Sequence, residues 1–244
     1  MMNLDEFKNN VNALSGINNI SFTNEQIENL YKYMNLLLDW NEKMNLTAIT
    51  EENEVILKHF IDSAIVNNYI DKGKTIIDVG TGAGFPGLVL KIVNKDLDIT
   101  LLDALNKRIT FLDEVIKECT LKNIRTVHGR AEDLGRDDKY RECFDIVTSR
   151  AVANMNVLLE YMMPLVKVGG VCICMKSVSA EEEVENSKNV ISLLGGEIEK
   201  IEKIYLKNKN DEFLERSFVI IRKKCSTEKK YPRNSNKIGK KPLG

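Results

Sequence analysis

The sequence predicts an α/β protein: a doubly wound, seven-stranded, mostly parallel sheet with helices on both faces and a helical extension at the N-terminus. Three observations predict it. Beyond Lys74, short apolar runs of strand length alternate with stretches of helical periodicity, the pattern of successive βα units. Residues 75–103 carry a strand, an acid, a glycine-rich turn, a helix, a second strand and a second acid, in the order of a ligand-binding βαβ unit. After Gly195-Gly196 the alternation stops, and two extended stretches follow with a polar turn between them.

In chain order, residues 1–72 read as helical. Ile27, Leu30, Tyr31, Met34 and Leu38 recur at three- and four-residue steps behind the cap signal Thr23-Asn24, and Val55, Ile56, His59, Phe60 and Ile65 mark a further helix. Strands are predicted near 75–79, 98–102, 124–128, 144–148 and 170–175, with helices near 87–93, 106–118, 152–163 and 180–194. EIEKIEKIYL and RSFVIIRK, joined by KNKNDEF, read as a hairpin that closes the sheet. The division expected is an extension over 1–72, a catalytic domain over 73–223 and a basic tail over 224–244. Only the tail past Lys223 reads as unstructured.

The glycine turn narrows the ligand. Asp78 precedes Gly80, and Gly80, Gly82 and Gly84 are spaced GxGxG, with Phe85 and Pro86 where a dinucleotide fold places its third glycine. A pyrophosphate needs free N–H groups at the helix start. Pro86 has none, and the Asp78 charge repels an anion. S-adenosyl-L-methionine has no phosphate and ends in a cationic ammonium, which an acid near the turn can receive. Asp103, at the end of the second strand, is placed to accept hydrogen bonds from both ribose hydroxyls. The turn and its two acids therefore point to a class I S-adenosylmethionine-dependent methyltransferase fold (Rossmann-like), with S-adenosyl-L-homocysteine as the spent product.

Composition sets the remaining bounds. At 244 residues, 43% hydrophobic and 29% charged, the chain can bury one sizeable core. No apolar run approaches the roughly 18 residues of a membrane span, and MMNLDEFKNN has no signal-peptide pattern, so a cytoplasmic location is expected. Five cysteines without a CxxC pair argue against a disulfide framework and a zinc site, and no metal is expected. Cys172 and Cys174 share one face of a strand and read as small core residues. Net charge is −1, yet Arg222–Lys241 carries nine basic residues and one acid, so a stretch of +8 sits on a body of −9. Lys229, Lys230, Arg233, Lys237, Lys240 and Lys241 are the candidates for nucleic-acid phosphates; a solvated tail is the plainer explanation.

Ligands of such sheets bind at the carboxyl ends of the strands. After the third strand, Ala131 and Glu132 are nominated to read the adenine edge. After the fourth, Thr148, Ser149 and Arg150 fall at the catalytic mouth. This segment lacks the [DNS]PP[YF] loop that goes with methylation of exocyclic amines. Methylation at pyrimidine C5 needs a cysteine nucleophile, and none lies in these loops. A target that is already nucleophilic fits, such as guanine N7, for which positioning and electrostatics suffice. No residue is a certain catalyst. Arg150 and His59 are the candidates; His59 with Asp62 at i,i+3 can form a proton relay, although a helix histidine is more often structural. Trp40 and Tyr31 read as core residues.

At this point DVGTGAGFPG, LLDALNKRITFL, GRAED, DIVTSRAVA and the tail motif KYPR…KKPL resemble the bacterial glucose-inhibited division protein B family of small-subunit ribosomal RNA guanine-N7 methyltransferases. DWNEKMNLTAIT and KHFIDS extend the resemblance over nearly the whole chain. It implies methylation of one guanine N7 in the 530 loop of 16S rRNA, within the 30S subunit or its precursor; a monomer is the default expectation. By motif, Gly80, Phe85, Ala131, Glu132 and Arg150 correspond to cofactor-contacting positions; Asp78, Gly82, Gly84 and Asp103 come from the fold logic. Asn234-Ser235-Asn236 departs from the small, glycine-rich residues expected after YPR. The alternatives are a methyltransferase for a small molecule or protein, a non-catalytic RNA-binding module that keeps the fold, and a dehydrogenase, which the glycine spacing disfavours.

Overall fold

The computed structural model describes residues 2–150, 153–176 and 180–244. Two helices open the chain, α1 (Leu4–Ile17) and α2 (Asn24–Met44), the second started by a reciprocal capping box between Thr23 and Gln26. After a loop, α3 (Glu52–Val55) continues without a break into a π-helical turn (Ile56–Ile61), α4 (Asp62–Ala64) and a 3-10 turn (Ile65–Tyr69). The alternating region then runs β1 (Thr75–Val79), α5 (Gly87–Val93), β2 (Asp98–Asp103), α6 (Asn106–Glu118), β3 (Ile124–His128) and α7 (Ala131–Leu134). It continues with β4 (Phe144–Arg150), α8 (Met155–Met162), β5 (Val166–Lys176) and α9 (Ala180–Leu193). The hairpin is β6 (Gly196–Lys207) and β7 (Phe213–Lys223), and α10 (Ser235–Lys240) lies in the tail.

The sheet order is β3-β2-β1-β4-β5-β7-β6. β1 to β5 are parallel; β7 runs antiparallel to β5, and β6 antiparallel to β7. The order reverses at β1 and β4, where one winding goes left and the other right, so a crevice opens at their carboxyl ends. Strand alternation divides the core into two layers. Ile76, Ile99, Leu101, Ile146 and Ile173 face α5, α6 and the N-terminal helices, whereas Ile77, Leu102, Val147, Cys172 and Cys174 face α8 and α9. The two thiols lie 3.7 Å apart and fully buried, as the face argument predicts. Trp40 packs on Phe111, and Tyr31 on Phe7, in the first layer.

The tail departs from expectation. Tyr231 and Ile238 are buried, α10 is capped by Asn234, and buried Lys223 and Thr227 bind one another and the carbonyls of Met163 and Leu194. Composition suggested disorder because it counts charges. Here three apolar or capping positions and buried hydrogen bonds supply enough contacts to hold the segment down.

Candidate functional site

β1 ends at the glycine turn. Gly80, Gly82 and Gly84 all have positive φ (67°, 62° and 100°), which side chains other than glycine rarely adopt. Six backbone donors of this turn are spent inside the protein. Gly80 and Thr81 N–H bond Leu102 O, Gly84 and Phe85 N–H bond Thr81 O, Gly82 N–H bonds Asp103, and Gly87 N–H bonds Asp78. A phosphate would find no free N–H among these six, and Pro86 has none. The structure thus gives the exclusion of a dinucleotide a fuller basis than Pro86 alone.

Asp78 is fully buried and lies behind the turn, not on the cleft wall. One of its oxygens accepts Thr81 Oγ1 (2.6 Å) and Gly87 N (2.9 Å); the other has no partner. Burial pushes its carboxyl up to about 6, with the Thr81 and Gly87 hydrogen bonds acting against that rise. Asp103 lines the cleft with its carboxylate engaged by Gly82 N (2.9 Å), Leu105 N (2.9 Å) and Arg108 Nη1 (3.2 Å). In this geometry it ties the turn to α6.

Two clefts meet over Gly80, Asp103 and Ala104. One, of about 410 Å³, is also lined by Leu46, Thr47, His59, Phe85, Arg108 and Arg150. The smaller, about 160 Å³, runs to Ala131, Glu132 and Tyr161. Glu132 is buried and its Oε1 has no partner. A buried, unmatched acceptor facing a pocket calls for a donor from a ligand. Gly80, Gly82, Phe85, Asp103, Ala131, Glu132 and Arg150 are therefore brought together around one elongated cleft, with Asp78 and Gly84 supporting it from behind.

Beyond Arg150 and His59 lies a third cavity of about 540 Å³, lined by Ile49, Lys58, Asp62, Met175, Lys176 and Arg216 among others. Arg150 and His59 wall both this cavity and the larger cleft. The Arg150 guanidinium sits 4.8 Å over the Phe85 ring and donates to Lys58 O (2.9 Å), Asp62 Oδ2 (3.2 Å) and His59 Nδ1 (3.0 Å). His59 Nδ1 lies 3.1 Å from Lys58 O as well, but a guanidinium cannot accept and makes the shorter contact, which puts the lone pair on Nδ1 and lets Nε2–H donate to Thr47 Oγ1 (2.8 Å). His59 also stacks on Phe85 at 4.4 Å. Burial and the Arg150 charge hold its imidazole down at about 3, so it stays neutral.

Two expectations are corrected here. No His59–Asp62 bond forms; Asp62 binds Arg150 and Arg216 Nε (3.2 Å), burial pushing its carboxyl up and the two guanidiniums pulling it back. Thr148 and Ser149 do not reach the mouth. Both are fully buried, their hydroxyls bonded to Ile173 O and Val79 O, because only the last residue of β4 clears the sheet edge. Of the tail cations, Arg233 is bound to buried Glu160 and Lys230 pairs with Glu228, while Lys229, Lys237, Lys240 and Lys241 are exposed. Sequence reasoning missed Leu46, Thr47, Leu105, Arg108 and Arg216. Thr47 sits in the MNLTAIT segment, whose place over the cleft becomes visible only when α2 is docked.

Comparison with known proteins agrees with this geometry. A family model described as rRNA small subunit methyltransferase G matches residues 26–213. Proteins named ribosomal RNA small subunit methyltransferase G are similar over almost the full chain. That of Acetivibrio thermocellus is 51% identical over 92% of this chain and 91% of its own; that of Clostridium botulinum is 46% identical over 98% and 99%. Solved structures share the fold alone. TYW2 of M. jannaschii, in complex with AdoMet, has a TM-score of 0.53 at 16% identity over 67% of this chain and 76% of its own. Trm5b of Pyrococcus abyssi has 0.52 at 15% identity over 70% and 49%. With the family model covering most of the chain and relatives at about half identity end to end, this protein belongs to the rRNA small subunit methyltransferase G family.

Proposed function

We propose that the protein transfers a methyl group from S-adenosyl-L-methionine to N7 of a guanine in the 530 loop of 16S rRNA, in the 30S subunit or its precursor, leaving S-adenosyl-L-homocysteine. The observation that carries the reaction type is the state of His59 and Arg150 between the two larger cavities. A histidine held neutral at about 3, its lone pair occupied by a guanidinium, is no general base at neutral pH. Among the described residues no cysteine lines any of the three cavities, so a thiolate route has no nucleophile. Guanine N7 needs neither.

The residues present fit the cofactor. Glu132 Oε1 offers an acceptor for the adenine amine, with Ala131 and Tyr161 as pocket walls; the Gly80–Gly82 backbone and Asp103 border the ribose position; Phe85 and Arg150 face the reacting end. When bound, S-adenosylmethionine supplies a methyl group on a cationic sulfur. The chain's own work is placement. The cavity of about 540 Å³ falls in the roughly 300–1,000 Å³ range of ligand sites, and its cations Lys58, Lys176 and Arg216, now paired with Glu54, Glu183 and Asp62, would meet a nucleotide phosphate by exchanging those partners. A guanine N7 lone pair held in line with that methyl group would accept it without a proton transfer, so no residue of the chain would have to act as a base.

Lys229, Lys237, Lys240 and Lys241 are assigned to rRNA phosphates, with Lys230 beside them and Arg233 holding the segment in place. The three parts, 1–72, 73–223 and 224–244, are read as cleft cover, methyltransferase domain and tail. A monomer is the default assembly of this reading. No helix among the described residues is long and apolar enough to cross a membrane, and a cytoplasmic site of action suits a ribosomal substrate. The test is transfer from methyl-labelled S-adenosylmethionine to 30S subunits of a strain lacking the gene, with the RNA cleaved at N7-methylguanine. One mark in the 530 loop is expected. No transfer despite tight cofactor binding would replace the reading with a small-molecule or protein substrate.

A further inference from the structure

The smaller cleft owes its two walls to α7, which carries Ala131 and Glu132, and to α8, which carries Tyr161. α7 is only four residues long and meets α8 through Leu134 in a shared apolar cluster. The C-terminal segment joins them. On the α7 side, Arg141 donates to Gly135 O (2.6 Å), closing the turn after the helix, and also to Tyr231 O (2.8 Å) and Thr227 O (2.6 Å). Arg136 Nε donates to Pro232 O (3.0 Å), and Pro232 packs so closely on Gly135 that a Cβ there would lie 2.9 Å from its ring. On the α8 side, Arg233 binds Glu160 through its backbone N (2.8 Å), Nε (2.8 Å) and Nη2 (2.7 Å). Glu160 is fully buried and adjoins Tyr161. Tyr231 lies in the same apolar cluster as Leu134 of α7 and Leu158 and Met162 of α8.

We propose that residues Thr227–Arg233 are a clasp that fixes α7 against α8 and thereby sets the separation of Glu132 and Tyr161, making them positioning residues for the adenosine half of the cofactor. The inference rests on the assignment of adenosine to the smaller cleft. A buried carboxylate held by one guanidinium in a fork geometry is a directional joint, and the same segment is bonded to the α7 side through Thr227, Tyr231 and Pro232. Because linkage is reciprocal, whatever clasp closure adds to adenosine affinity, adenosine must add to clasp closure. A segment that carries exposed Lys229 and Lys237 on either side of the joint also lets a phosphate partner act on the cofactor pocket through the clasp.

The test uses the full chain. Removing Arg233 alone strands a buried charge, so the main variant is Arg233→Ala with Glu160→Gln, which takes away both charges; Arg233→Lys is the conservative partner, and Glu132→Ala reports on the cleft itself. Titration calorimetry with S-adenosylhomocysteine and with adenosine is expected to show both ligands weakened by the same factor in the double variant, between about fivefold and 150-fold. Arg233→Lys is expected to recover part of it, with KM for S-adenosylmethionine raised and kcat within about twofold. Loss for S-adenosylhomocysteine without loss for adenosine overturns the clasp. If Glu132→Ala weakens binding and the double variant does not, the clasp falls and the adenosine assignment stands; if neither weakens it, both fall. The unaltered protein gives an arm that no folding defect can obscure. Tryptic cleavage after Lys229 and Lys230 is expected to slow with saturating adenosine, and an unchanged rate overturns the proposal.

Discussion

Gly84→Ala puts one methyl group where the fold has left no room. At φ 100° an L-residue is strained by about 1–3 kcal/mol. The added Cβ would lie 2.4 Å from Leu88 Cδ1 and 2.7 Å from Tyr33 Oη. Leu88 can turn away in part. Tyr33 cannot, because it is fully buried, its ring lies 5.4 Å from Phe85, 5.5 Å from Phe60 and 6.3 Å from Phe111, and its hydroxyl donates to Ala83 O. Overpacking of this kind costs about 1–3 kcal/mol, and a stranded buried carbonyl about 1–3 more if the hydroxyl is displaced. With all three at their lower values the sum is about 3 kcal/mol. For a chain of this size each kcal/mol moves Tm by roughly 2–4 °C, so a fall of about 6–12 °C is expected by calorimetry. S-adenosylhomocysteine affinity should fall with it, since Ala83 and Phe85 line the cleft. Gly16→Ala is the control: it sits in α1 with nothing within 4 Å, and the change should stabilise by about 0.5–1 kcal/mol. A Gly84→Ala protein that melts within about 2 °C of the parent, with cofactor affinity intact, would refute the account of the turn.

Other perturbations separate the remaining roles. His59, held at about 3 against an ordinary 6.5, contributes stability that is fully present above pH 6.5 and is lost as pH falls toward 3. Lowering pH from 6.5 to 4.5 should therefore remove about 2–3 kcal/mol that His59→Gln never had, and the difference between their unfolding free energies in urea titrations should change by that amount. Asp78 titrates in the opposite sense in both proteins and cancels from the difference. Asp62→Ala leaves Arg150 and Arg216 without their shared carboxylate and should cost about 3–5 kcal/mol in denaturant unfolding, with Asp62→Asn losing less. Replacing Lys229, Lys237, Lys240 and Lys241 by Gln should flatten the log–log salt dependence of rRNA binding by up to about 3, at roughly 0.7–0.9 per phosphate contact, while S-adenosylmethionine affinity holds. An unchanged slope would remove the tail from the RNA interface.

The sheet was legible because its signals are local. Ile76 and Ile77, or Cys172 and Cys174, announce their faces through period two alone, and the GxGxG turn needs only its own spacing to demand positive φ. The site was legible as a set of residues and less so as a set of roles. Asp78 and Asp103 stood at the right positions, yet which donors a carboxylate meets depends on how the turn folds back, and here Thr81, Gly82 and Gly87 reach them first. The tail was hidden for a different reason. Arg233 and Glu160 are 73 positions apart, and pairing across that distance leaves no periodicity. One sign was present: Glu160 interrupts the apolar run of VLLEYM on the buried face of α8, and a buried acid needs a cation from somewhere.

The cleft proposed for the cofactor is finished by segments from both sides of the βα alternation. Leu46, Thr47 and His59 complete the larger cleft from the N-terminal side, and Tyr33 braces the glycine turn from beneath. The clasp sets the smaller one from the C-terminal side. Neither end belongs to the βα alternation, so the sheet can be formed while the cleft is still open at one or both lobes. Cofactor affinity is then a report on the docking of both termini, and it should decline before the sheet melts. Raising denaturant toward the transition should loosen S-adenosylhomocysteine binding while far-ultraviolet circular dichroism still reads native, with the tail cleavage rate rising over the same range. If affinity, cleavage and circular dichroism instead change together, the ends and the sheet are one cooperative unit, and the clasp acts only through global stability.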